Sequence, residues 1–155
     1  MYIISACLAG QNCTYNGENN TVEWVKEFME EHKCILVCPE SLGNLPTPRP
    51  PAEIVGDQVI DAEGKNVTEA FQFGAIQALA KMKKSEEILN STVEMAILKA
   101  NSPSCGCGYI YDGTFTGKRV KGDGVFAAML RERNIQMITE NDEQKVTDGG
   151  ENDRF

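Results

Sequence analysis

Three short apolar runs, each leading into a cysteine or into a loop that carries one, constrain this chain more than any other feature. Ile3-Ile4-Ser5-Ala6 runs into Cys7-Leu8-Ala9-Gly10, and Ile35-Leu36-Val37 runs into Cys38-Pro39-Glu40. Met95-Ala96-Ile97-Leu98 leads to Asn101-Ser102-Pro103-Ser104-Cys105-Gly106-Cys107-Gly108. Runs this short, apolar on successive residues, are what a strand buried on both faces requires. Stretches with helical spacing separate them. The expected fold is therefore α/β: a single domain with a mainly parallel, Rossmann-like sheet flanked by helices. In open sheets of this kind ligands bind beyond the carboxyl ends of the strands, so three thiols distant in sequence are expected to meet at one edge.

Taken in order, the spacing predicts a helix over 22–32 capped by Thr21, with Val25, Phe28 and Met29 on its apolar side. A longer helix over 66–89, capped by Asn66 or Thr68, returns the chain to the third strand, and a helix over 125–133 behind Asp123 precedes a fourth strand near 135–138. Gly56-Asp57 and Asp112-Gly113 each predict a small β-hairpin, the second pairing Tyr109-Ile110-Tyr111 with Phe115-Thr116. From Cys38 through Leu45-Pro46-Thr47-Pro48-Arg49-Pro50-Pro51 an irregular segment is expected. Its prolines suit a rigid wall beside a site better than an exposed polyproline ligand for a partner. His32 at a helix end and Cys34 inside a strand are expected to be structural. The domain is expected to cover 1–140, with 141–155 an acidic, flexible C-terminal tail.

A chain of 155 residues that is 41% hydrophobic suffices for one core. A formal charge of −8 offers no basic footprint, which disfavours nucleic acid and anionic membranes and leaves a small neutral or weakly charged substrate easier to accept. No apolar run approaches the roughly 20 residues of a membrane span, and the first residues lack the basic stretch of a signal peptide, so a cytoplasmic location is expected. In that compartment disulfides are disfavoured, and the six cysteines read as buried thiols, metal ligands or reactive groups. Soft thiolates select zinc, copper or iron–sulfur clusters. The chain has no Cys-x-x-Cys pair of the structural zinc kind. Three dispersed thiols can instead hold three corners of a cubane and leave one iron open. From spacing alone a cluster site stands beside two plainer readings: thiols that only pack, and a non-enzymatic structural metal-binding or cysteine-rich interaction module.

Taken together, Cys7-Leu8-Ala9-Gly10, Cys38-Pro39-Glu40 with the proline-rich segment through Glu53, Asn101-Ser102-Pro103-Ser104-Cys105-Gly106 and Gly122-Asp123-Gly124 resemble the thiouracil desulfidase family. That resemblance implies an α/β domain whose [4Fe–4S] cluster is held by three cysteines, here Cys7, Cys38 and Cys105, with one open iron. It places the family's acid/base glutamate on Glu40 and its active-site serine on Ser102. The implied reaction is hydrolytic, non-redox removal of sulfur from a small thiolated heterocycle such as thiouracil, with release of sulfide. Without the resemblance, Glu40 reads equally well as a cap or surface carboxylate, and Ser102 as a turn residue before proline. Thr14 stands where many relatives carry arginine, leaving the substrate contacts there open. Cys13 has no assigned role, and Cys107 is expected to pack. Some relatives, thought to act on thiolated transfer RNA, carry an additional domain; with its acidic composition this chain is expected to act on free thiolated bases. Nothing in the sequence fixes an oligomeric state.

Overall fold

The computed structural model describes residues 1–146. Four strands form one parallel sheet: β1 (Tyr2–Ser5), β2 (Cys34–Val37), β5 (Met95–Leu98) and β8 (Gln136–Thr139), in the order β2-β1-β5-β8. All four residues of β5 are buried, as a central strand covered on both faces demands. Between them lie α1 (Glu23–Glu31), the short α2 (Pro39–Leu42), α3 (Thr68–Leu89) and α4 (Val125–Glu132). Two antiparallel hairpins, β3 (Ala52–Val55) with β4 (Gln58–Asp61) and β6 (Tyr109–Tyr111) with β7 (Arg119–Lys121), complete the described elements. Among the described residues no helix is long and apolar enough to cross a membrane.

The strand order fixes where a ligand can sit. From β1 the chain steps outward to β2, then crosses back past β1 to β5 and continues to β8. Right-handed crossovers that travel in opposite directions put their helices on opposite faces. The core records this in alternate residues. Ile4, Ile97 and Ile138 pack with Val25 and Phe28 of α1, while Ile3, Ala96 and Leu98 pack with Ala75, Ala78 and Leu79 of α3 and with Phe126 and Leu130 of α4. The connections leaving β1 and β5 therefore diverge, and a crevice opens between their carboxyl ends.

Several local expectations are corrected. The segment after Cys38 is not irregular at its start: Pro39 occupies the first turn of α2, where its fixed φ suits a helix and its missing N–H costs nothing. Thr21 does not cap α1. Its N–H and hydroxyl turn back to Asn19 Oδ1, and α1 begins after Val22 without a side-chain cap. The second hairpin pairs Tyr109–Tyr111 with Arg119–Lys121 instead of Phe115-Thr116. Gly113, Phe115 and Gly117 all have positive φ, which no strand tolerates, so 112–118 is one long turn. The expected tail, 141–155, lies outside the described residues from 147 onward. Its first residues are ordered by Asp142, which accepts the Thr139 N–H, and by Val146, which packs against the α1 side of the core. His32 stacks on Phe28 with ring centroids 3.9 Å apart, in the structural role expected.

Helix α2 is seated on α3 through two glycines. A Cβ at Gly74 would lie 1.8 Å from the Pro39 carbonyl oxygen, and one at Gly43 would lie 2.2 Å from that of Ala70. Alanine normally stabilises a helix interior by about 1 kcal/mol relative to glycine. Gly74→Ala is expected to reverse that sign, because α2 must move before the methyl fits. Overpacking of this kind costs about 1–3 kcal/mol. Denaturant unfolding measures it, and a midpoint at or above that of the unsubstituted protein would contradict the close approach.

Candidate active site

The crevice at the strand ends deepens into a cavity of about 440 Å³. Cys7, Cys38 and Cys105 all line it, as do Glu40 and Ser102, so the five residues that the resemblance assigns to the site share one cavity. Cys7 arrives on a 3₁₀ turn, Ala6–Ala9, that continues β1 and is closed by Gly10 at φ 102°. Cys38 is the residue joining β2 to α2, and Cys105 is buried in the loop after β5. Cys13 and Thr14 lie on the same wall. Cys107 is absent from it and packs against the α3 side of the core, as expected.

The three thiols differ electrostatically. Burial pushes Cys7 and Cys105 up from the ordinary thiol range. Cys38 moves the other way, because hydrogen bonds from the Cys13 thiol and from the hydroxyl and N–H of Ser41 favour its thiolate. Cys13 is raised by that same hydrogen bond and by burial. Among the described residues no group of three or more His, Cys, Asp or Glu side chains is placed to hold a single metal ion.

Glu40 is held from two sides. Arg49, only 5% exposed in its side chain, donates from Nε to Oε1 at 3.0 Å, and the Ser104 hydroxyl donates to Oε2 at 2.8 Å. The same guanidinium also reaches the carbonyls of Pro46 and Cys13 and the hydroxyl of Thr47. One cation thus binds the proline-rich wall, the Cys13 loop and the carboxylate into a unit. Sequence reasoning missed it, although an isolated arginine among prolines was the available signal.

The loop carrying Ser102 and Cys105 is built on the N-terminus of α4. The N–H groups of Val125, Phe126 and Ala127 donate to the carbonyls of Pro103 and Ser104, which satisfies the free end of the helix. This explains why α4 needs no side-chain cap. Asp123, expected to provide one, instead accepts the Gly108 N–H and pairs with Arg131, whose hydrogen bonds hold its carboxyl below the ordinary range. Gly124 permits the contact, since a Cβ there would lie 2.5 Å from the Ser104 carbonyl carbon. On the far rim Lys99 pairs with Glu140 at 2.8 Å, and Lys99 N–H donates to the buried Ser5 hydroxyl. Asn20 donates to the Cys7 sulfur at 3.6 Å.

Comparison with known proteins adds the family to which the chain belongs by likeness. The sequence model of the 2-thiouracil desulfurase family matches residues 2–142. The chain is 43% identical over 152 residues to the uncharacterized protein YbbK of Bacillus subtilis (strain 168), covering 92% of this chain and 97% of that one. It also superposes, with a TM-score of 0.80 and 39% identity over 90% of each chain, on the solved structure of the [4Fe–4S]-dependent thiouracil desulfidase TudS.

Proposed function

The chain belongs to the 2-thiouracil desulfurase family, and from that premise we propose that it removes sulfur from a small, free thiolated base such as a thiouracil in the cytoplasm. The reaction is a hydrolysis: thione and water give the oxo-base and hydrogen sulfide, with no net transfer of electrons. Residues 1–140 carry it. The observation supporting this reading is that three thiols from three strand ends share one cavity with a carboxylate already hydrogen-bonded to a serine hydroxyl.

The donor set fits a [4Fe–4S] cluster held by Cys7, Cys38 and Cys105. All three donors are soft sulfur and line one cavity of about 440 Å³. Three ligands leave a fourth iron open, and when bound the cluster would supply a Lewis acid for the thione sulfur. The chain's own residues supply the rest. Glu40, fixed by Arg49, takes a proton from the attacking water or returns one to the ring. Ser102 passes a proton toward Glu40. Arg49 and Pro51 of the proline-rich segment, with residues of the 13–20 loop, wall the cavity in which Glu40 and Ser102 act.

The direct test is anaerobic incubation of cluster-loaded protein with thiouracils, following loss of thione absorbance. Sulfide and oxo-base should appear in equal amounts. A fully loaded protein that turns over no thiolated base or nucleoside would end the reading.

A further inference from the structure

We propose that Ser104, a residue with no role in the assignment above, is the positioning residue that couples Ser102 to Glu40. The inference rests on the proposed desulfurase reading of this site and adds a component to it. Among the described residues no hydrogen bond joins Ser102 to Glu40 directly. The path runs through Ser104, which is 2% exposed and so has no bulk water to substitute for its hydroxyl.

The direction of the path follows from counting donors. Ser102 Oγ accepts two backbone N–H groups, from Ser104 at 3.1 Å and Cys105 at 2.9 Å. With both lone pairs engaged, its contact of 3.0 Å with Ser104 Oγ must use its own proton. Ser104 Oγ therefore accepts from Ser102 and donates onward. Two acceptors face that single proton: Glu40 Oε2 at 2.8 Å and the Cys105 sulfur at 3.8 Å. The nearer, charged oxygen takes it. The line is thus Ser102 to Ser104 to Glu40, with Arg49 closing the far end on Oε1. The same two N–H groups lock Ser102 in register with Cys105, so a proposed cluster ligand and the line share one turn of backbone.

This arrangement makes Ser102 and Glu40 parts of one unit, and that is measurable as non-additivity. In loaded protein, Ser104→Ala should lower kcat by about tenfold or more, the worth of a hydrogen bond to a charged group, with KM little changed. Ser102→Ala should then add less than about twofold in the Ser104→Ala background, although it is costly alone. A second cycle needs no turnover. In unloaded protein labelled for carbon NMR, Ser102→Ala should shift the Glu40 side-chain carboxyl resonance, and the shift should vanish when Ser104 is alanine. Equal shifts in both backgrounds, or fully additive losses of kcat, would overturn the coupling. A wild-type protein inactive on every thiolated base would instead defeat the desulfurase reading, and the NMR cycle would still decide whether Ser104 is the bridge.

Discussion

Cys105→Ser is expected to abolish turnover together with the binding of iron and sulfide. Serine keeps nearly the volume of cysteine but replaces a soft sulfur with a hard, protonated oxygen that iron–sulfur clusters seldom accept. The site suits the substitution structurally. Ser5 and Ser104 already lie within hydrogen-bonding reach of the Cys105 sulfur, so a hydroxyl there finds partners despite complete burial. Unloaded variant and unloaded wild type should therefore unfold at similar denaturant concentrations. Loss of activity then cannot be blamed on misfolding. Cys107→Ser is the matched comparison: it lies two residues away, outside the cavity, and should keep both cluster and turnover. Iron and sulfide analysis after anaerobic reconstitution, with the visible spectrum, decides the point. A Cys105→Ser protein that binds iron normally would remove Cys105 from the ligand set.

Glu40→Gln should reduce kcat by about 10²–10⁴-fold, the usual worth of a general acid or base, while leaving iron content unchanged. The structure adds a reason for expecting the upper part of that range. Both partners of the carboxylate are donors, Arg49 Nε–H on one oxygen and the Ser104 hydroxyl on the other. An amide has only one acceptor oxygen to offer them. If it turns that oxygen to Arg49, its NH₂ faces Ser104, whose proton must then turn to the Cys105 sulfur, the other acceptor in reach. Proton transfer is lost and the hydrogen-bond line is broken. Some stability goes as well, since a buried ion pair is broken, although the amide retains part of the bonding. Rates should be compared well below the unfolding transition. A module in which the cysteines merely pack or hold a structural metal predicts no effect on rate, so full activity in this variant would favour that alternative.

The sheet and the meeting of the cysteines were legible because short, mostly apolar runs of three or four residues, each followed by Cys or a glycine-rich loop, permit few other folds. What the sequence obscured has common physical causes. The segment from Cys38 to Pro51 contains five prolines, which read as irregular chain, yet Pro39 sits where a helix accepts proline best. Arg49 and Glu40 are joined only because that segment doubles back, and no periodicity reports such a return. Phe115 looked like strand because aromatic residues favour strands, but the turn around it demands positive φ. Asp123 resembled a cap, while the helix it precedes had already spent its N–H groups on the Ser102–Cys105 loop. Ser104 escaped notice because Ser102, two residues earlier, offered the same chemistry to a linear reading.

The seat of that loop on α4 also sets a timetable for biogenesis. Synthesis proceeds from the N-terminus, so a ribosome delivers Cys7 and Cys38 well before the 101–108 loop, and the three N–H groups that fix the loop belong to residues 125–127, later still. A nascent chain interrupted before Val125 holds all three thiols in its sequence but lacks the three donors that seat the third against α4. A group held by all three thiols is therefore expected to find its complete site only after synthesis has passed residue 127.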